Sequence, residues 1–114
     1  MTRTGPLVAI AATMLPAIAL ADLHLVLVDP AAHVTLSHPP SRLRLVFSEP
    51  ARISDASIRR SARAAWPLVP ATAGSAMETS LPLPYLMPGT YVVTWHRATQ
   101  EGDLVRESTV FSIK

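Results

Sequence analysis

The chain has 114 residues, 49% of them hydrophobic, with no cysteine and with ten Lys and Arg against eight Asp and Glu. That length makes one domain the default, and the lack of cysteine excludes both a disulfide framework and a cysteine nucleophile. A formal charge of +2 gives no argument for nucleic acid.

Met1 to Ala21 carries one basic residue, Arg3, ahead of an apolar run from Leu7 to Leu20 that only Thr13 and Pro16 interrupt. Ala19-Leu20-Ala21 places small residues where a signal peptidase reads, so residues 1–21 are expected to be a secretory signal peptide and the protein to be exported. The run is short and proline-broken for a membrane anchor; an uncleaved anchor or a core helix is the competing reading. Cleavage after Ala21 would leave residues 22–114 as one domain, enough for a modest core. Without Arg3 the excess of basic over acidic residues falls from two to one.

Leu23 to Val28 is a dense apolar run closed by Asp29-Pro30, which predicts a buried first strand and a turn. His33 to His38 is a short alternating piece ended by Pro39-Pro40, and its two histidines are expected on the surface. Arg42 to Ser48 is the clearest strand, with Leu43, Leu45 and Phe47 inward and both arginines outward. Glu49-Pro50 is expected to stop it. Ile53 to Arg63 predicts a further strand centred on Ser57-Ile58-Arg59, with Arg59, Arg60 and Arg63 on a solvated face. Ala64 to Ala76 reads as a loop or a weak strand.

Met77 to Leu81 predicts a short strand that Pro82 and Pro84 keep from being extended as a central one. Pro88-Gly89 then turns the chain into Tyr91-Val93-Trp95 on one face and Val92-Thr94-His96 on the other, with His96 expected to be exposed. A polar connection carries Glu101-Gly102-Asp103, and a strand through Val110-Phe111 ends the chain. Short strands, proline punctuation and no sustained helical period predict an all-β sandwich or small barrel. Met77 and Met87 read as core fillers.

Leu45-Val46-Phe47-Ser48-Glu49-Pro50, Pro88-Gly89-Thr90-Tyr91 followed by Trp95, Asp29-Pro30-Ala31 and the closing Phe111-Ser112-Ile113-Lys114 stand in an order that resembles the CopC-type periplasmic copper-binding proteins. The resemblance runs from about His24 to the C-terminus. It implies an immunoglobulin-like Greek-key β-sandwich, a periplasmic location, copper carriage or resistance without catalysis, and an inner-membrane copper transporter as partner. A monomer is expected.

The family's Cu(II) site joins a histidine at the mature N-terminus to an Asp-Gly-His-like segment after the Trp strand. Here those positions fall on Asp22 and on Glu101-Gly102-Asp103, so a carboxylate stands in place of each imidazole. Imidazole is among the best protein ligands for Cu(II), and this exchange weakens the inherited site. Cleavage at Ala21 would still leave Asp22-Leu23-His24 as a free terminus. Its amine, two deprotonated backbone amides and the His24 imidazole can form a square-planar Cu(II) chelate. An outward-pointing His24 in a paired first strand is the competing reading. Glu101 and Asp103 are either auxiliary metal ligands or a solvated acidic turn, and with Asp22 they would suit a hard cation such as Ca2+.

The central segment from Ala62 to Ala76 holds neither Met nor His, so no separate Cu(I) site is expected. No metalloprotease His pair, phosphate-cradling glycine loop or Gly-x-Ser-x-Gly setting is present, and an enzyme is not expected. Two functions remain open: a periplasmic Cu(II) carrier with Asp22, His24, Glu101 and Asp103 as metal-site residues, or a domain that has kept the sandwich, lost the metal and serves as an interaction module.

Overall fold

The computed structural model describes residues 25–114, and every regular element in them is a strand. In chain order these are β1 (Leu25–Asp29), β2 (Thr35–Leu36), β3 (Arg42–Arg60), β4 (Trp66–Leu68), β5 (Ala76–Pro82), β6 (Gly89–Ala98) and β7 (Leu104–Ile113). The expected signal peptide, Asp22 and His24 lie outside the described residues.

The long strand β3 belongs to both layers of a β-sandwich. Its first part, through Val46 and Phe47, lies between β1 and β5, both antiparallel to it. Its second part, from Arg52 onward, pairs with β4 on one side and β6 on the other, and β6 continues to β7 and a parallel β2. Glu49-Pro50 therefore does not end the strand as expected. It falls where β3 leaves one layer for the other, outside the ladders on either side, so the missing N–H of Pro50 costs no ladder hydrogen bond.

Alternation decides which side chains fill the space between the layers. Leu43, Leu45 and Phe47 point inward from the first part of β3, as predicted, and Ala51 and Ile53 continue the odd-numbered pattern. Ser54 is then an extra residue: Ile53 faces Arg97 while Asp55 faces His96, so the register slips by one. A bulge of this kind reverses the parity of the strand. From there Ala56 and Ile58 are buried, and Asp55, Ser57 and Arg59 are turned to the outer face.

Tyr91, Val93 and Trp95 of β6 and Phe111 and Ile113 of β7 complete this side of the core, and Leu81 and Leu86 close it from β5 and the segment after it. The Tyr91 and Phe111 rings, register partners, lie 6.1 Å apart centre to centre. Each such fully buried side chain contributes about 1.5–3 kcal/mol relative to exposure. Tyr91 Oη also donates to the Met87 carbonyl at 2.7 Å, tying the start of β6 to the chain just upstream. Gly89 is needed there: its φ of +153° is open to few L residues, and a Cβ would stand 2.6 Å from Arg60 Nε.

Two expectations need correction, and one open alternative is decided. The first strand is not buried: among the described residues β1 pairs only with β3, and Val26 and Leu27 are exposed at this sheet edge. Met77 and Met87 are not core fillers, since both are about half exposed. Met77 stands near the start of β5, and Met87 falls between buried Leu86 and the Pro88-Gly89 turn. The segment Ala64 to Ala76 does contain a weak strand, β4, which buries Leu68 against Ala56.

Candidate metal centre at the β6–β7 end

The hairpin of β6 and β7 closes at the Ala98–Leu104 pair, and residues 99–103 form its turn. The Thr99 N–H donates to the Asp103 carbonyl at 2.9 Å and the Gly102 N–H to the Thr99 carbonyl at 3.0 Å. Thr99 Oγ1 accepts from the Asp103 N–H at 3.1 Å. Gly102 has φ +94°, which its lack of a Cβ permits without strain. The turn is thus fixed by its own backbone, with Glu101 and Asp103 both exposed upon it.

Beneath the turn lies a polar network within the core. Arg97 extends the inward series of Tyr91, Val93 and Trp95 by one more step, and Glu107 heads the inward series of Thr109, Phe111 and Ile113. Arg97 Nη2 and Nε donate to the two Glu107 carboxylate oxygens, at 2.9 Å to Oε2 and 3.2 Å to Oε1. Trp95 Nε1 donates to Oε1 at 2.8 Å. The Arg97 guanidinium carbon sits 5.7 Å from the centre of the Phe47 ring. Buried ions require such partners, because an isolated charge in this medium would be strongly destabilising.

Phe47 is also the register partner of Leu25, where the described part of β1 begins. Leu25 therefore lies at the end of the sandwich that carries the β6–β7 turn. Among the described residues no three His, Asp or Glu side chains gather closely enough to hold a metal ion. Glu101 and Asp103 thus lack a third ligand within residues 25–114.

The histidines are dispersed. His33 is exposed, with φ 66°, and its N–H donates to the Val110 carbonyl. His38 is exposed and lines a cleft of about 310 Å³ with Asp29, Arg42 and Arg44. His96 is on the outer face of β6 as expected, but half covered, its Nδ1 2.7 Å from Asp55 Oδ1. The Arg97–Glu107 network and the Asp55–His96 pair were not anticipated from the sequence. Arg97 and Glu107 were legible as inward positions by parity alone; the bulge that turns Asp55 outward carries no such signal.

The model of the CopC domain family matches residues 25–114 of this chain. Among solved structures, CopC from Methylosinus trichosporium OB3b is similar to it, with 23% identity and a TM-score of 0.69 over 80% of this chain and 92% of that one. PcoC from Escherichia coli, described as a methionine-rich copper resistance protein, is 20% identical with a TM-score of 0.62, covering 80% of this chain and 97% of its own. Among curated proteins, no sequence matches.

Proposed function

Since this chain belongs to the CopC domain family, we propose that it is a non-enzymatic copper protein of the periplasm that carries Cu(II) as cargo and passes it to a membrane copper transporter. The ion is held chiefly by the Asp22 amine and the His24 imidazole, with Glu101 and Asp103 as further oxygen donors. The strongest support is the position of β1: Leu25 pairs with Phe47, against which Arg97 lies, at the end that carries the Glu101-Gly102-Asp103 turn. Asp22 precedes Leu25 by three residues, a span of at most about 11 Å. The similarity to PcoC, a copper resistance protein, favours the same cargo.

The donor set has consequences for what the site can do. A terminal amine, backbone amides and one imidazole supply the nitrogen-rich plane that Cu(II) prefers, and binding releases the amide protons. The carboxylates of Glu101 and Asp103 add charge but little selectivity, because hard oxygen donors also accept other cations. Loading is therefore pH dependent, and it requires that the terminus be Asp22.

The alternative, a domain that has lost the metal and acts as an interaction module, is favoured by the absence of a three-ligand cluster among the described residues. Two measurements separate them. Mass spectrometry of the exported protein should give an N-terminus at Asp22. Titration of that protein with Cu(II) should then show tight, proton-releasing binding that His24→Ala abolishes. Binding no stronger than that of an unstructured control peptide would overturn the Cu(II) reading.

A further inference from the structure

The outer face of the larger layer, on the far side of the sheet from the core, carries a second chemical feature. A depression of about 340 Å³ is lined by Asp55, Ser57 and Arg59 of β3, Val92, Thr94 and His96 of β6, and Arg106 of β7, with Ala65 at its border. The bulge at Ser54 creates this lining. Without the added residue, Asp55, Ser57 and Arg59 would face the core, and Ala56 and Ile58 would face solvent.

The register fixes how the polar groups are arranged. One row across the sheet is Asp55, His96 and Arg106; the next is Ser57, Thr94 and Ser108; the third is Arg59, Val92 and Val110. Arg59 and Arg106 thus stand at diagonal corners, two strands apart and four residues apart along the strands, so their Cα atoms are roughly 16 Å apart at the usual strand spacing and rise, and the two long side chains must converge over the row between them. The hydroxyls of Ser57 and Thr94 lie in the row between them. Neither guanidinium has an ion-pair or hydrogen-bond partner among the described residues. The single carboxylate of the lining, Asp55, is engaged by His96.

We propose that this depression binds a small polycarboxylate, one carboxylate on the Arg59 fork and another on that of Arg106, with Ser57 and Thr94 donating hydrogen bonds to the oxygens between. The guanidinium fork matches a carboxylate in two parallel hydrogen bonds. Two forks held apart on separate strands select two separated acid groups over a single compact anion. The volume falls at the low end of small-ligand sites, which suits an acid of a few carbons.

The test is isothermal titration of metal-free protein at low ionic strength with succinate, citrate, acetate and inorganic phosphate in turn. Saturable binding of succinate or citrate is expected, with acetate and phosphate weaker by about tenfold or more. Arg59→Ala and Arg106→Ala should each weaken the dicarboxylate about fivefold or more, while Arg63→Ala, at an exposed arginine outside the lining, leaves it unchanged. Both arginines are exposed, so the variants are expected to fold, and a native far-UV spectrum checks this. Equal affinity for acetate and succinate, stronger binding of phosphate, or binding indifferent to both arginine variants would each overturn the proposal.

Discussion

Arg97 and Glu107 form an ion pair inside the sandwich, Nη2 to Oε2 at 2.9 Å, with the two side chains 2% and 3% exposed. They are not direct register partners. Arg97 pairs with Val105 and Glu107 with Trp95, so the two meet diagonally on the inner face of β6 and β7. One carboxylate thereby accepts from both Arg97 and Trp95, and the end of the core beneath the β6–β7 turn is closed by charge and hydrogen bonds.

Removing one partner of this pair is expected to be far worse than removing both. Glu107→Ala removes the buried carboxylate that Arg97 Nε and Nη2 and the Trp95 N–H share, a cost of about 3–5 kcal/mol. Arg97→Met combined with Glu107→Leu replaces the pair with apolar volume and should recover at least half of that loss. Urea unfolding of the single and double variants measures the coupling. A loss below about 1 kcal/mol for Glu107→Ala would show that the pair carries no structural weight.

Two hydroxyls predict gains instead. Thr79 Oγ1 and Thr109 Oγ1 are buried and find no partner among the described residues. Replacing either by valine keeps the branched shape and removes an unsatisfied group, so Thr79→Val and Thr109→Val should each stabilise the domain by about 1 kcal/mol. Tyr91→Phe should do the opposite by a similar amount, since the bond to the Met87 carbonyl is lost. Thermal melts of the three variants give the signs directly.

On the outer face of the smaller layer, the hydrogen bond from Arg44 and its charge hold the Glu78 carboxyl below its ordinary value of 4.5. A depressed carboxyl contributes stability that is fully present above the ordinary value and is lost as pH falls through the depressed one. Arg44, raised above an already high value, stays charged throughout this range. The unfolding midpoint should therefore decline more steeply below pH 4.5 in the wild type than in Glu78→Gln. Parallel acid limbs would mean that solvent screens the pair completely.

The turn offers a gain-of-binding experiment. Asp103→His places an imidazole at the exposed position to which the resemblance assigns the family's histidine, on a backbone that Thr99 and Gly102 already fix. Cu(II) affinity is expected to rise about tenfold or more, because nitrogen replaces a carboxylate oxygen. Competition against a chromophoric chelator gives the change. An unaltered affinity would place the copper away from this turn.

Much of the fold could be read along the chain because period-2 alternation reports burial one residue at a time. Leu43, Leu45 and Phe47, and again Tyr91, Val93 and Trp95, face inward as that rule requires. The same rule, carried two residues past Trp95, reaches Arg97. A charged side chain at an inward position gives no sign from the sequence of the partner that makes its burial tolerable, and Glu107, ten residues on, meets Arg97 only through the β6–β7 pairing. Met77 and Met87 were misjudged because apolar character does not distinguish a core position from one near a strand end or beside a turn.

The sequence by itself determined the all-strand architecture, the turn at Pro88-Gly89 and the polar Glu101-Gly102-Asp103 connection. These are local properties of residue type and spacing. The tertiary structure alone decided that one strand serves two layers through Glu49-Pro50, that Arg97 and Glu107 meet in the core, and that the Ser54 bulge sets Asp55 outward and brings it, Ser57 and Arg59 onto one face with Arg106. Each of these depends on pairing between residues far apart in the chain. A one-residue slip in register changes which face every later side chain occupies.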